Sequence, residues 1–217
     1  EGGTGTPTDP EDRLVAGGDA EQLRPAMALN TTTDKYLIAW TDDNSPGTIR
    51  AQRMDLDGNL LGIEFALTTN HVGAPYWPEL VYNPTEDNFM LLWSELNGNT
   101  ITQPYFTLAA YNLYALPLAS DGTPSSEPPT LITDQLTYYP VTSPGYDLAL
   151  NTAANEYLVA WQQPPGAVVS SVAQPHRVNG QRISASGALV GGQVTFQIGT
   201  VGSVALSYSS ISNEYLL

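Results

Sequence analysis

The chain has 217 residues, 41% of them apolar, and a formal charge of −15 from 22 acidic and 7 basic side chains. That balance excludes nucleic acid and anionic membrane surfaces as partners, because a polyanion demands clustered Lys and Arg, whereas the apolar share is enough for a packed core. The lack of cysteine excludes disulfides, thiolate metal sites and thiol nucleophiles, and no run has the length of a membrane-crossing helix.

Nineteen glycines and 17 prolines beside short runs of Thr, Tyr, Val and Leu suit many strands and turns. No stretch keeps a helical period, so an all-β chain is expected. Residues 1–11 read as a flexible tether of the kind left when an export signal is removed. The run from Arg13 to Ala16 looks like a lone strand.

Four related lines follow. PAMALN (25–30) leads to YLIAW (36–40), PELVYN (78–83) to FMLLW (89–93), YDLALN (146–151) to YLVAW (157–161), and VALSYS (204–209) to YLL (215–217). In each, the aromatic comes eleven places after the first residue quoted. The first member of each pair is strand A and the second strand B. Strand B is apolar at nearly every position, the pattern of burial on both faces.

Strand C follows in three copies, from Ile49, Leu113 and Val178, and each ends on a glycine suited to a tight turn, Gly58, Gly122 or Gly187. Strand D comes after the glycine, at 64–68, 130–133 and 194–198. A period of several tens of residues built from such strands is the mark of a stacked or circular repeat. Four antiparallel strands per unit, with greasy inner strands and mixed outer ones, point to β-propeller blades.

NEYLVAW (155–161) with GQRIS (180–184), and DKYLIAW (34–40) with AQRM (51–54), resemble the degenerate β-propeller repeats of large bacterial secreted and cell-surface proteins. The resemblance covers the chain after about residue 12, implies a propeller, and carries over no catalytic residue. The repeats are placed at approximately 12–62, 63–128, 129–192 and 193–217. The fourth stops two residues short of its tryptophan, so three complete repeats and a partial one, a piece of a larger propeller, are expected.

The A–B turns are constant in length and the C–D turns all close on glycine. The B–C connections are not constant: Trp40 to Ile49 is 9 positions, Trp93 to Leu113 is 20 and Trp161 to Val178 is 17. The D–A connections vary too. In a meander both variable sets emerge at one end, and function resides in such loops on a rigid scaffold.

That end gathers Tyr76, Trp77, Tyr105, Phe106, Tyr138, Tyr139 and His176, with His71, Asp42, Asp43 and Glu95 nearby. Aromatic rings beside carboxylates suit a partner or sugar cleft; the competing reading is that the rings plug the junctions between units. Trp77, alone outside the repeat position, is expected to be less buried than Trp40, Trp93 and Trp161.

Other features read as structure. Asp55-Leu-Asp57-Gly-Asn59 opens like a calcium loop, but Ala66 stands where a closing Glu belongs, so a hairpin turn is expected. Arg53 and Arg182 hold equivalent places, which points to a repeated structural contact. The sequence around Asn30 is a glycosylation sequon on an A–B turn. His71 and His176 are not equivalent, and no metal or cofactor is expected.

Only a partial Asp box, SDGT (120–123), is present. No nucleophile elbow or phosphate loop occurs, and the acids on A strands, Glu79 and Asp147, are in single copies. The expectation is a non-enzymatic, exported binding or structural module meeting a protein or glycan at a cell surface, without membrane insertion. The rivals are a lectin-like propeller, which should repeat its sites, and a propeller glycoside hydrolase or lyase, which needs paired acids.

Overall fold

A computed structural model describes residues 14–17, 21–43, 47–68, 73–102, 107–124, 128–137, 145–163, 177–197 and 204–217. Among the described residues there is no helix. Three four-stranded antiparallel sheets and one two-stranded hairpin follow one another along the chain. Sheet one holds β1 (Gln22–Asn30), β2 (Lys35–Asp42), β3 (Thr48–Asp55) and β4 (Leu60–Ala66), and sheet two β5 (Pro75–Asn83), β6 (Asn88–Thr102), β7 (Thr107–Leu118) and β8 (Thr130–Thr137). Sheet three holds β9 (Tyr146–Asn151), β10 (Glu156–Gln163), β11 (Arg177–Ser184) and β12 (Leu189–Gln197), and the hairpin β13 (Ser207–Ser209) and β14 (Glu214–Leu216).

Each sheet is a plain meander, so its A–B and C–D turns share one end and its B–C connection the other. Each closes on the strand after its glycine turn, so sheets end at 66, 137 and 197, later than the repeat boundaries drawn at 62, 128 and 192. Residues 14–17 are not a strand.

The sheets stack face to face, and strand alternation divides the core. On β6, Phe89, Leu91 and Trp93 face sheet one with Leu37, Ala39, Ile49 and Ala51. Met90 and Leu92 face sheet three with Tyr157, Val159, Trp161 and Ile183. This is why strand B tolerates no polar position: both pleat faces are interior, and each buried aliphatic side chain contributes about 1.5–3 kcal/mol. On sheet three, Ala160 and Val178 turn the other way, toward Val204. The first strands of neighbouring units pack side by side, β1 on β5, β5 on β9 and β9 on β13.

The A–B turns are built alike. Asn30, Asn83 and Asn151 each accept, through Oδ1, the amide N–H of the second and third residues onward, Thr32 and Thr33, Thr85 and Glu86, Ala153 and Ala154. Four places after each Asn the chain turns left-handed at Asp34, Asp87 and Asn155, and after Ser209 at Asn213, with φ of 53, 49, 52 and 55°. Asp and Asn are the non-glycine residues that accept this region most readily. Neighbouring turns are linked: Asn30 Nδ2 bonds Asp87 Oδ1 at 3.2 Å, and Asn83 Nδ2 bonds Asn155 Oδ1 at 2.8 Å. Asn30 is buried. The sequon there is a turn cap whose amide is already committed.

The C–D turns repeat as well. Gly58, Gly122 and Gly187 sit at φ near 80° and donate to the carbonyls of Asp55, Ala119 and Ser184. Asp55 Oδ1 accepts from the amides of Asp57 and Asn59, which makes it part of a hairpin turn. Just before each Arg, Gln52 and Gln181 plug matching irregularities in the C–D pairing, donating to the carbonyls of Leu61 and Val190. Arg53 and Arg182 do not repeat one contact: Arg53 stacks on Phe65 at 5.1 Å, while Arg182 Nη1 meets Glu156 Oε2 at 3.2 Å.

Candidate functional site

Tyr105, Phe106, Tyr138, Tyr139, His71 and His176 lie outside the described residues. Tyr76 and Trp77 are described, and both sit at the start of β5, at the end that carries the variable connections. Their ring centroids are 6.0 Å apart.

Trp77 departs from expectation. It is 5% exposed, close to the 3% of Trp40, and belongs to the core between sheets two and three. The cause is local. Trp77 precedes Pro78, takes φ of 52°, and lies in a register shift between Tyr76 and Glu79. Such a bulge re-aims one side chain out of the alternation, here into the sheet interface. β1 does the same at Arg24, before Pro25, with φ of 57° and a shift between Leu23 and Ala26. The Arg24 guanidinium lies over the Trp77 ring, 4.0 Å from its centroid, in cation–π geometry. Sequence reading missed Arg24; the shared residue-before-proline position was the available signal.

Tyr146 joins this group by donating from its hydroxyl to the carbonyls of Trp77 and Tyr76, the latter at 3.2 Å. Burial, then the neighbouring Tyr76, pushes the Tyr111 hydroxyl up from its ordinary value. The nearby carboxylates are engaged. Asp42 lies 3.8 Å from Arg50, which also binds Glu64 at 2.9 Å. Buried Glu95 accepts the amide of Gly73 at 2.9 Å, pinning the D–A connection of sheet two.

Glu79 on β5 and Asp147 on β9 occupy equivalent places on adjacent first strands. Asp147 accepts the amides of Leu148 at 2.7 Å and Leu206 at 2.6 Å, so both its oxygens are held. Burial, then the charge of Asp147, raises Glu79 to about 7. Asp147 is thus anchored by two amides, while Glu79 beside it keeps a proton into the neutral range.

At the opposite end, between sheets one and two, lies a cavity of ≈ 480 Å³ lined by Lys35, Tyr36, Leu37, Arg53, Phe89 and Asp121 among others. Sequence reasoning passed over it because it looked only to the variable loops. The chain's single lysine, standing where the later copies have Asn88 and Glu156, was the available sign. Among the described residues, no group of three or more His, Asp or Glu is placed to hold a metal ion.

No protein-family model matches the chain, and no curated protein matches it. Among solved structures it is similar to the cryo-EM structure of Morganella morganii TcdA4, with 16% identity and a TM-score of 0.47. The match covers 79% of this chain and 8% of that one, so the chain spans a small fraction of that protein's length.

Proposed function

We propose that the chain is a non-enzymatic, exported or cell-surface binding module whose sheets are β-propeller blades, and that it meets a protein or glycan through the end bearing the B–C and D–A connections. The blade reading is supported by first strands packed in succession and by strand B buried on both faces.

The observation that carries the binding reading is a ribbon. β6 and β7 have 15 and 12 residues, against 8 in β2, β3, β10 and β11. Their pairs Thr100↔Ala109, Ile101↔Leu108 and Thr102↔Thr107 lie beyond the last pairs of β5 and β8 with this hairpin, Pro75↔Glu95 and Ala110↔Thr137. The backbone of such a two-stranded extension leaves edges open to a partner strand, and Tyr105 and Phe106 stand in the sequence between its two strands.

The hydrolase rival rests on Glu79 and Asp147. Each oxygen of Asp147 accepts a backbone amide, one of them from the next unit, which favours a structural role for it.

The test replaces residues 100–109 by a two-residue turn and, separately, makes Tyr105→Ala with Phe106→Ala. Labelled protein is then measured for adhesion to bacterial and epithelial cell surfaces, with thermal melts alongside. Adhesion lost in both variants at unchanged Tm is the expected result. Unchanged adhesion, or turnover of chromogenic glycosides, would overturn the reading.

A further inference from the structure

We propose that the cavity between sheets one and two, at the end of the A–B and C–D turns, binds a carboxylated sugar through Lys35 and Arg53. This inference is independent of the partner-binding end above.

The repeat itself isolates the feature. Position for position, Lys35 and Arg53 of sheet one correspond to Glu156 and Arg182 of sheet three, which form an ion pair at 3.2 Å. The same two places in sheet one carry two cations. Register brings them together, since Lys35 and Leu37 on β2 lie opposite Asp55 and Arg53 on β3, and residues 35, 37 and 53 share the face toward sheet two. Asp121 is the acid in the cavity lining. Hydrogen bonds from Thr123, then the charge of Arg53, hold its carboxyl below the ordinary range. With Asp55 opposite Lys35 and Asp121 in the lining, two cations meet two acids. Lys35 and Arg53 are the groups a carboxylate would pair with there.

The corresponding junction between sheets two and three is lined differently. Pro117 takes the place of Arg53, and Asn88 Nδ2, at the place of Lys35, reaches the carbonyl of Ala185 at 3.4 Å. Between sheets one and two the space stays open at ≈ 480 Å³, within the range of small-ligand sites. Its walls are of two kinds. Leu37, Leu61 and Phe89 supply an apolar floor, while Thr33 and Ser120 are the hydroxyl-bearing residues of the lining at the turns. Cations for a carboxylate, hydroxyls for hydroxyls and an apolar surface for ring C–H groups together describe a sugar acid.

Titration calorimetry and amide NMR shifts with D-glucuronate, D-glucose and propionate test the proposal on the whole chain. Glucuronate is expected to bind and to shift the amides of Lys35, Tyr36 and Asp121, with glucose and propionate at least about tenfold weaker. Lys35→Glu rebuilds the ion pair of sheet three, so it should abolish glucuronate binding without lowering Tm. Arg53→Gln should weaken binding by about tenfold, and serves if the first variant misfolds. Propionate binding as tightly as glucuronate would overturn the sugar assignment, and glucose doing so would overturn the carboxylate assignment. No glucuronate binding, or binding unchanged in a folded variant, would overturn the site.

Discussion

Replacing Asn83 tests how far one turn side chain holds two sheets together. Asn83 is fully buried. Its Oδ1 caps the amides of Thr85 at 2.9 Å and Glu86 at 3.4 Å, and its Nδ2 reaches Asn155 Oδ1 at 2.8 Å. Asn83→Ala deletes two short, part-buried hydrogen bonds worth about 1 kcal/mol each, whose other partners, Thr85 and Asn155, can turn to water. The expected loss is about 2 kcal/mol, or about 4–8 °C in Tm for a chain of this size. Asn83→Asp keeps the caps but sets a buried carboxylate oxygen against Asn155 Oδ1, so it should cost more than the lost hydrogen bond alone. Asn155→Gly keeps the left-handed turn while removing the partner. Urea unfolding followed by tryptophan fluorescence on Asn83→Asp, Asn155→Gly and the double variant gives the coupling, expected at about 1 kcal/mol or more. A coupling of zero would refute the reasoning: the turns would then be local structures that only happen to touch.

Trp77→Ala should destabilise by about 3–5 kcal/mol, as much as Trp161→Ala, because both rings lie in the same core; a loss under about 1 kcal/mol by chemical denaturation would return Trp77 to the surface. Glu79 has a folded value raised to about 7 over an ordinary 4.5, so the folded chain binds the extra proton. Its contribution is full below pH 4.5 and is lost as pH rises through 7. Glu79→Gln should therefore be more stable than the parent at pH 8.5 by about 1–3 kcal/mol, with the gap closing by pH 4, and equal pH profiles would remove the burial argument.

Strand B was legible because an apolar run of five residues, bounded by turn residues and repeated at fixed spacing, is too short for a buried helix and suits a strand covered on both faces. The glycine turns were legible because a left-handed position at a fixed offset leaves little choice of residue. Trp77 was misjudged for a different reason. Alternation predicts a side chain's face only while the pleat continues, and the bulge before Pro78 breaks it. The links from Asn30 to Asp87 and from Asn83 to Asn155 span 57 and 72 positions. Their residue types read as turn chemistry alone, and their second task depends on the stacking of sheets. The Lys35–Arg53 cavity needed register: the two cations are 18 positions apart in sequence and become neighbours only through the β2–β3 pairing.

The turn-to-turn bonds also run both ways. Asn83 Nδ2, in the earlier unit, donates to Asn155 Oδ1, and Asn155 Nδ2 donates back to Glu86 Oε1 at 2.7 Å. One amide thus serves its neighbour as acceptor and donor at once. A duplicated unit that kept an Asn at both turn positions would carry the donors and acceptors for each of its neighbours.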